Sequence, residues 1–199
     1  MKNIKNLPNI LTFSRIVMIP LFVLFFYLDF TAHYLVALAV FGIASFTDFL
    51  DGKIARKYNL VSNLGKFLDP IADKALVLSA FVVFLTVPHF FCANFGSWAL
   101  IVAGCGVAVV VIREITVSGI RMVAASSGSV IAADIFGKYK TFAQDISIVV
   151  LLLGEGVYPF SPDAGAIINY IGLAVFAISI VLTIFSGINY LVKNISVLK

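Results

Sequence analysis

The stretch from Ala166 to Val192 reads AIINYIGLAVFAISIVLTIFSGINYLV and carries no charged side chain. About 20 consecutive apolar residues let a helix cross the hydrocarbon core of a bilayer. An unpaired backbone cannot face lipid, so the stretch is predicted to be a spanning helix. Working outward toward the N-terminus, five further apolar segments repeat the pattern, at 140–157, 97–122, 67–87, 33–56 and 10–28. The expected fold is all-α, a polytopic membrane protein with six transmembrane helices. No linker, low-complexity tract or repeat separates the segments, so residues 1–199 are expected to form a single domain.

Composition points the same way. Hydrophobic residues make up 61% of the 199 residues, charged residues only 12%, and the mean hydropathy is +1.08. Soluble domains average about 45–50% apolar and 25% charged. Nineteen Phe and seven Tyr add to the excess, so membrane lipid is the expected solvent and partner. The net charge of +4 is spread between apolar runs, which argues against nucleic acid as a partner. Cys105 lies in an apolar run and reads as a small core residue; with Cys92 it forms no ligand spacing or disulfide framework. Met1 to Leu11 has no small-residue cleavage pattern, and no signal peptide is expected.

The basic residues set the orientation. Lys2, Lys5, Arg15, Lys53, Arg56, Lys57, Lys66, Lys74, Arg113, Arg121, Lys138, Lys140, Lys193 and Lys199 gather at the two termini and around the second and fourth connections. The first, third and fifth connections carry Asp29, His89, Glu155 and Asp163 instead. By the positive-inside rule both termini are cytoplasmic, which an even number of spans requires. Tyr139 and Tyr190 are expected in an aromatic belt. His33 and His89 fall on the far side and are not counted as ligands.

One region breaks the apolar logic: Asp48-Phe-Leu-Asp51-Gly52-Lys-Ile-Ala55-Arg56, followed by Gly65-Lys-Phe-Leu-Asp69-Pro-Ile-Ala-Asp73. An ionised aspartate near hydrocarbon costs a few kcal/mol on insertion scales, so such residues are usually paired or functional. At 100° per residue, Asp48, Asp51, Gly52 and Ala55 share one helix face. Asp69 and Asp73, four apart, share a face of the next helix. The short connection makes the two helices antiparallel neighbours whose carboxylate faces can meet. Four carboxylates in one pocket repel, and one or two hard divalent cations with oxygen ligands relieve this. Gly52 and Ala55 remove bulk so that a ligand can approach the backbone. Arg56 offers a fork suited to phosphate. Four interfacial acids merely balanced by Lys53, Arg56, Lys57 and Lys66 would not require Gly, Ala and Arg at those offsets.

Written with its gaps, the region is D-x2-D-G-x2-A-R-x8-G-x3-D-x3-D. It resembles the signature of the CDP-alcohol phosphatidyltransferases, and the six-helix pattern extends the resemblance over essentially the whole chain. The resemblance implies a transferase acting on a CDP-linked lipid with release of CMP. It implies that Asp48, Asp51 and Asp69 hold the divalent metal, Mg²⁺ or Mn²⁺, in a site of two ions, and that Asp73 is the general base and also touches the metal site. Gly52 and Ala55 would let the cytidine nucleotide approach, and Arg56 and Ser62 would contact its diphosphate or nucleotide edge. A homodimer in a bacterial inner membrane, with a multi-pass topology and the active site facing the cytoplasm, is implied as well.

The donor, CDP-diacylglycerol, is better defined by the signature than the acceptor. The opening Leu7-Pro-Asn9-Ile-Leu-Thr12-Phe-Ser-Arg15-Ile16 resembles bacterial members of the family that use glycerol 3-phosphate. Arg113-Glu114-Ile115 with Arg121, Gly137-Lys138-Tyr-Lys140-Thr141 leading to Gln144, and Asp69-Pro-Ile-Ala-Asp73-Lys74 do so too. Physical chemistry supports that acceptor: glycerol 3-phosphate is a dianion, and Arg113, Arg121, Lys138 and Lys140 place four cations on the fourth and fifth segments, near the same membrane face. Their other reading is positive-inside anchoring, with Arg113 paired to Glu114 or another acid. Asn9, Thr12 and Arg15 either cap the first helix or line the nucleotide pocket. A different acceptor (serine, inositol phosphate or phosphatidylglycerol) is the nearest rival. A metal-ion transporter would spread its acids through the bilayer depth, whereas these four cluster near one face.

Overall fold

The computed structural model describes residues 7–58, 63–92, 95–126 and 135–194, with the side chains of 7–11, 48–58, 63–70, 73, 92, 125 and 126 excepted. Seven helices carry the described residues: α1 Leu7–Tyr27, α2 His33–Tyr58, α3 Asn63–Thr86, α4 His89–Cys92, α5 Ser97–Ser126, α6 Ile135–Val157 and α7 Pro162–Asn194. No strand occurs among them. All six predicted segments are helical, and most run past the apolar windows that revealed them. α6 begins at Ile135 rather than 140, and α5 and α7 extend to Ser126 and Asn194. Lysine and arginine are good helix formers; they end the hydropathy signal without ending the helix. The single turn α4 has no hydropathy signature and was not expected.

α5 and α7 are long and apolar enough to cross a membrane, and shorter apolar stretches run through Thr12–Tyr27, His33–Thr47 and Lys74–Thr86. Their outward faces suit lipid. Ile101, Ile112, Ile115, Val181, Ile188 and Val192 are all exposed, a cost in water and none in hydrocarbon.

The chain divides into two compact units, Met1–Val83 with Leu152–Ile168, and Phe84–Leu151 with Asn169–Lys199. In the first, α1 lies antiparallel along α2. Phe22 meets Phe41 with ring centroids 6.0 Å apart, and Phe26 meets Tyr34 edge-on at 5.3 Å. The buried stripe of α2 is Ala37, Phe41 and Ala44, and that of α3 is Ala72, Leu76, Ala80 and Val83. The end of α6 closes against α2 at Gly156, where an added Cβ would stand 3.3 Å from the Leu35 nitrogen and nearer still to its side chain. Gly165, in the first turns of α7, sits closer to neighbouring backbone. A Cβ there would lie 2.6 Å from Tyr158 Cα and 2.9 Å from the Gly154 oxygen. Those are backbone atoms that cannot move aside.

In the second unit, α7 runs parallel to α5 and antiparallel to α6. Gly106 of α5 faces Phe176 and Ile180, and seven residues on Arg113 faces Gly187. On the other side Gln144 Nε2 of α6 donates to Thr183 Oγ1 at 3.2 Å, and Leu151 covers Gly172. The buried hydroxyls turn back to their own helices: Ser179 donates to the Phe176 carbonyl at 2.7 Å and Thr183 to that of Ser179 at 2.6 Å. Such local bonds keep polar atoms satisfied away from water.

Three expectations are corrected. Cys105 is exposed rather than in the core, because lipid and protein interior are equally apolar and hydropathy does not distinguish them. Tyr190 is buried, not in an outer belt: Arg121 Nε donates to its hydroxyl at 3.3 Å and the guanidinium carbon lies 5.5 Å from its ring centroid. Glu155 is no connection residue but a buried member of α6.

Candidate active site

The aspartate region begins where the apolar part of α2 ends. Helical repeat carries the buried stripe Ala37–Phe41–Ala44 onward through positions 48, 51, 52 and 55, all within α2. On α3 the same reasoning runs backward from Ala72, Leu76 and Ala80 to positions 69 and 73. Arg56 follows in the last turns of α2. Ser62 lies outside the described residues, as do the side chains of Asn9, Asp48, Asp51, Gly52, Ala55, Arg56, Asp69 and Asp73. The N-terminal part of α1 contributes two described polar groups: Thr12 and Arg15 are both buried on its inner face. A Thr hydroxyl that deep inside a helix is no N-cap, since Leu7 already opens α1.

The donor set fits a hard cation. Four carboxylates are all-oxygen ligands, and their i, i+3 and i, i+4 spacings each keep a pair on one side of a helix. Among the described side chains no group of three or more His, Cys, Asp or Glu could hold a metal ion, and the four aspartates lie outside that set.

The predicted acceptor cations all belong to the second unit. Two are joined by one acid: Lys140 Nζ donates to Glu114 Oε1, and Arg113 Nη1 reaches the same oxygen at 3.1 Å. Side-chain exposures of 3% for Lys140, 9% for Glu114 and 12% for Arg113 put this triad out of bulk solvent. Two cations against one anion leave it one charge positive. Space for Arg113 is made by small neighbours, its Nη2 lying 3.6 Å from where a Cβ of Gly137 would be, and its Cγ 3.1 Å from one on Gly187. Its Nε is buried without a hydrogen-bond partner. Arg121 and Lys138 are exposed, the former steadied by Tyr190. The expected pairing of Arg113 with Glu114 is present; what sequence reasoning missed is the reach of Glu114 across to Lys140 on α6, for which an acid inside an apolar helix was the signal. Beside the triad lies an apolar cavity of about 220 Å³ between α5 and α7, lined by Val109, Ile112, Arg113, Thr116, Ile184 and Ile188 among others.

A family model described as CDP-alcohol phosphatidyltransferase matches residues 5–185. The chain is 38% identical to the CDP-diacylglycerol--glycerol-3-phosphate 3-phosphatidyltransferase of Bacillus subtilis (strain 168), over 98% of this chain and 97% of the relative. It is 36% identical to proteins of the same name from Shigella flexneri serotype 5b (strain 8401) and Escherichia coli (strain K12), over 94% of this chain and 93% of each relative.

Proposed function

The chain belongs to the CDP-alcohol phosphatidyltransferase family, and from that premise we propose that it transfers the phosphatidyl group of CDP-diacylglycerol to sn-glycerol 3-phosphate. The products are phosphatidylglycerophosphate and CMP. The observation that carries this reading is 36–38% identity, over 94–98% of this chain, to relatives named for that reaction, with the eight-position signature intact.

The residues divide the work as follows. Asp48, Asp51, Asp69 and Asp73 would hold two Mg²⁺ or Mn²⁺ ions. When bound, these would supply positive charge to the diphosphate and ease an in-line displacement. Asp73 takes the proton from the attacking hydroxyl of glycerol 3-phosphate. The freed oxygen pair forms the new P–O bond at the phosphorus that bears diacylglycerol, and the bond to CMP breaks. Gly52 and Ala55 leave room for the nucleotide, with Asn9, Thr12, Arg56 and Ser62 as its polar contacts. Arg113, Arg121, Lys138 and Lys140 bind the acceptor phosphate, Glu114 fixing two of them.

The membrane reading is part of the proposal: six spans, both termini and the aspartates on the cytoplasmic side of a bacterial inner membrane, and a homodimer. The Lys/Arg distribution supports the orientation, as does the parallel course of α5 and α7, two helices apart. The test is CMP release by purified protein in detergent with CDP-diacylglycerol and Mg²⁺. Metal-dependent release with glycerol 3-phosphate, and none with serine, inositol phosphate or phosphatidylglycerol, is the expected result. Release with another acceptor alone would keep the aspartate chemistry and discard the acceptor assignment.

A further inference from the structure

We propose that Arg15 is a positioning residue of the aspartate site, holding the carboxylate of Asp48 by an ion pair between α1 and α2. Arg15 is fully buried, on the same face of α1 as Thr12, Phe22 and Phe26. That face lies on α2, with Phe22 against Phe41 and Phe26 against Tyr34. The two helices are antiparallel, so the register can be carried on. Arg15 stands seven residues before Phe22, and position 48 stands seven beyond Phe41. Seven residues are two turns, about 10 Å, and return to the same face. Residues 15 and 48 thus occupy opposing sites at one level.

Charge narrows the partner further. A guanidinium taken out of water needs an anion close by. The first unit holds seven acids. Asp29 lies in the α1–α2 turn, Glu155 beside the Gly156 that meets Leu35, and Asp163 near the Gly165 that meets Tyr158. All three are therefore at the other end of the α1–α2 pair. Asp48, Asp51, Asp69 and Asp73 remain, and Asp48 is the one whose register matches. The proposed effect of Arg15 on catalysis runs through Asp48.

The catalytic consequence rests on reading Asp48 as a metal ligand, but the pair itself can be measured without metal or substrate. Full-length protein in detergent with a chelator is melted as Arg15→Gln, Asp48→Asn and the double variant, with Asp51→Asn for comparison. Each of the first two should lower the midpoint by about 10 °C, and the double variant should fall no further than either. Asp51→Asn should add to Arg15→Gln. Arg15→Lys should recover at least half of the loss. Additive losses for the 15–48 combination overturn the proposal. Should Arg15→Gln alone not fold, a double variant that folds supports the pair, and one that does not overturns it. In turnover, Arg15→Gln should lower kcat about tenfold while the CDP-diacylglycerol KM stays within about threefold; a raised KM alone overturns the positioning role. Coupling of 15 with 48 but no change in kcat would keep the pair and remove Asp48 from the metal site.

Discussion

The Lys140 ammonium of α6 donates to Glu114 Oε1 of α5, and that same oxygen takes a hydrogen bond from the neighbouring Arg113. One carboxylate thereby pairs with two cations, Lys140 buried and Arg113 half-buried. Removing its charge breaks both ion pairs, and breaking a buried pair typically costs about 3–5 kcal/mol. Glu114→Gln is expected to lower the unfolding midpoint in detergent by roughly 10 °C. Glu114→Gln combined with Lys140→Met should regain most of the loss, because the pair is then replaced as a unit. A midpoint for Glu114→Gln within 2 °C of the parent, on the ~2–4 °C per kcal/mol expected for this size, would show that the triad contributes nothing to the fold.

That triad also marks what the sequence makes legible. The apolar runs announce all six long helices, because a bilayer demands a continuous apolar stretch of fixed length. The 3.6-residue repeat joins Asp48, Asp51, Gly52 and Ala55 to one face, and the same repeat extends from Ala37, Phe41 and Ala44. Which face of a spanning helix meets protein is not written in hydropathy, since lipid is as apolar as a core. Cys105 and Tyr190 were misplaced for that reason. The Lys140–Glu114 contact spans 26 residues, beyond any local pattern, although the lone acid in an apolar helix hinted at it.

Close helix approach gives a second test. A Cβ on Gly165 would fall 2.6 Å from Tyr158 Cα and 2.8 Å from its nitrogen. Gly165→Ala is expected to lose about 2–3 kcal/mol, as overpacking against rigid atoms does. Gly42 and Gly119 have nothing within 4 Å of an added Cβ. Alanine there should be neutral or gain up to about 1 kcal/mol of helix propensity. Thermal unfolding of the three variants side by side checks the contrast; a Gly165→Ala protein as stable as Gly42→Ala would contradict the close contact.

Arg121 and Tyr190 separate binding from support. The tyrosine offers a hydroxyl at 3.3 Å and a ring beneath the guanidinium. Tyr190→Phe keeps the ring and forfeits a hydrogen bond of about 1 kcal/mol. The glycerol 3-phosphate KM should then rise no more than about fivefold. Arg121→Ala removes an exposed cation, and the same KM should rise at least tenfold with the CDP-diacylglycerol KM unchanged. Equal rises in both constants for Arg121→Ala would take it out of the acceptor site.

Asp73 is assigned two tasks, ligand and base, and they can be told apart. Asparagine keeps one neutral oxygen but neither the charge nor the ability to take a proton. A lost general base costs about 10²–10⁴-fold in rate, so Asp73→Asn should abolish measurable CMP release. CDP-diacylglycerol should still bind, because Asp48, Asp51 and Asp69 remain to hold metal against its diphosphate. Asp48→Asn should instead raise the Mg²⁺ concentration needed for half-maximal activity. Equilibrium binding of CDP-diacylglycerol with Mg²⁺ titrated over each variant gives both answers. If Asp73→Asn lost donor binding as completely as turnover, the residue would be a ligand only, and the proton would have to leave through another group.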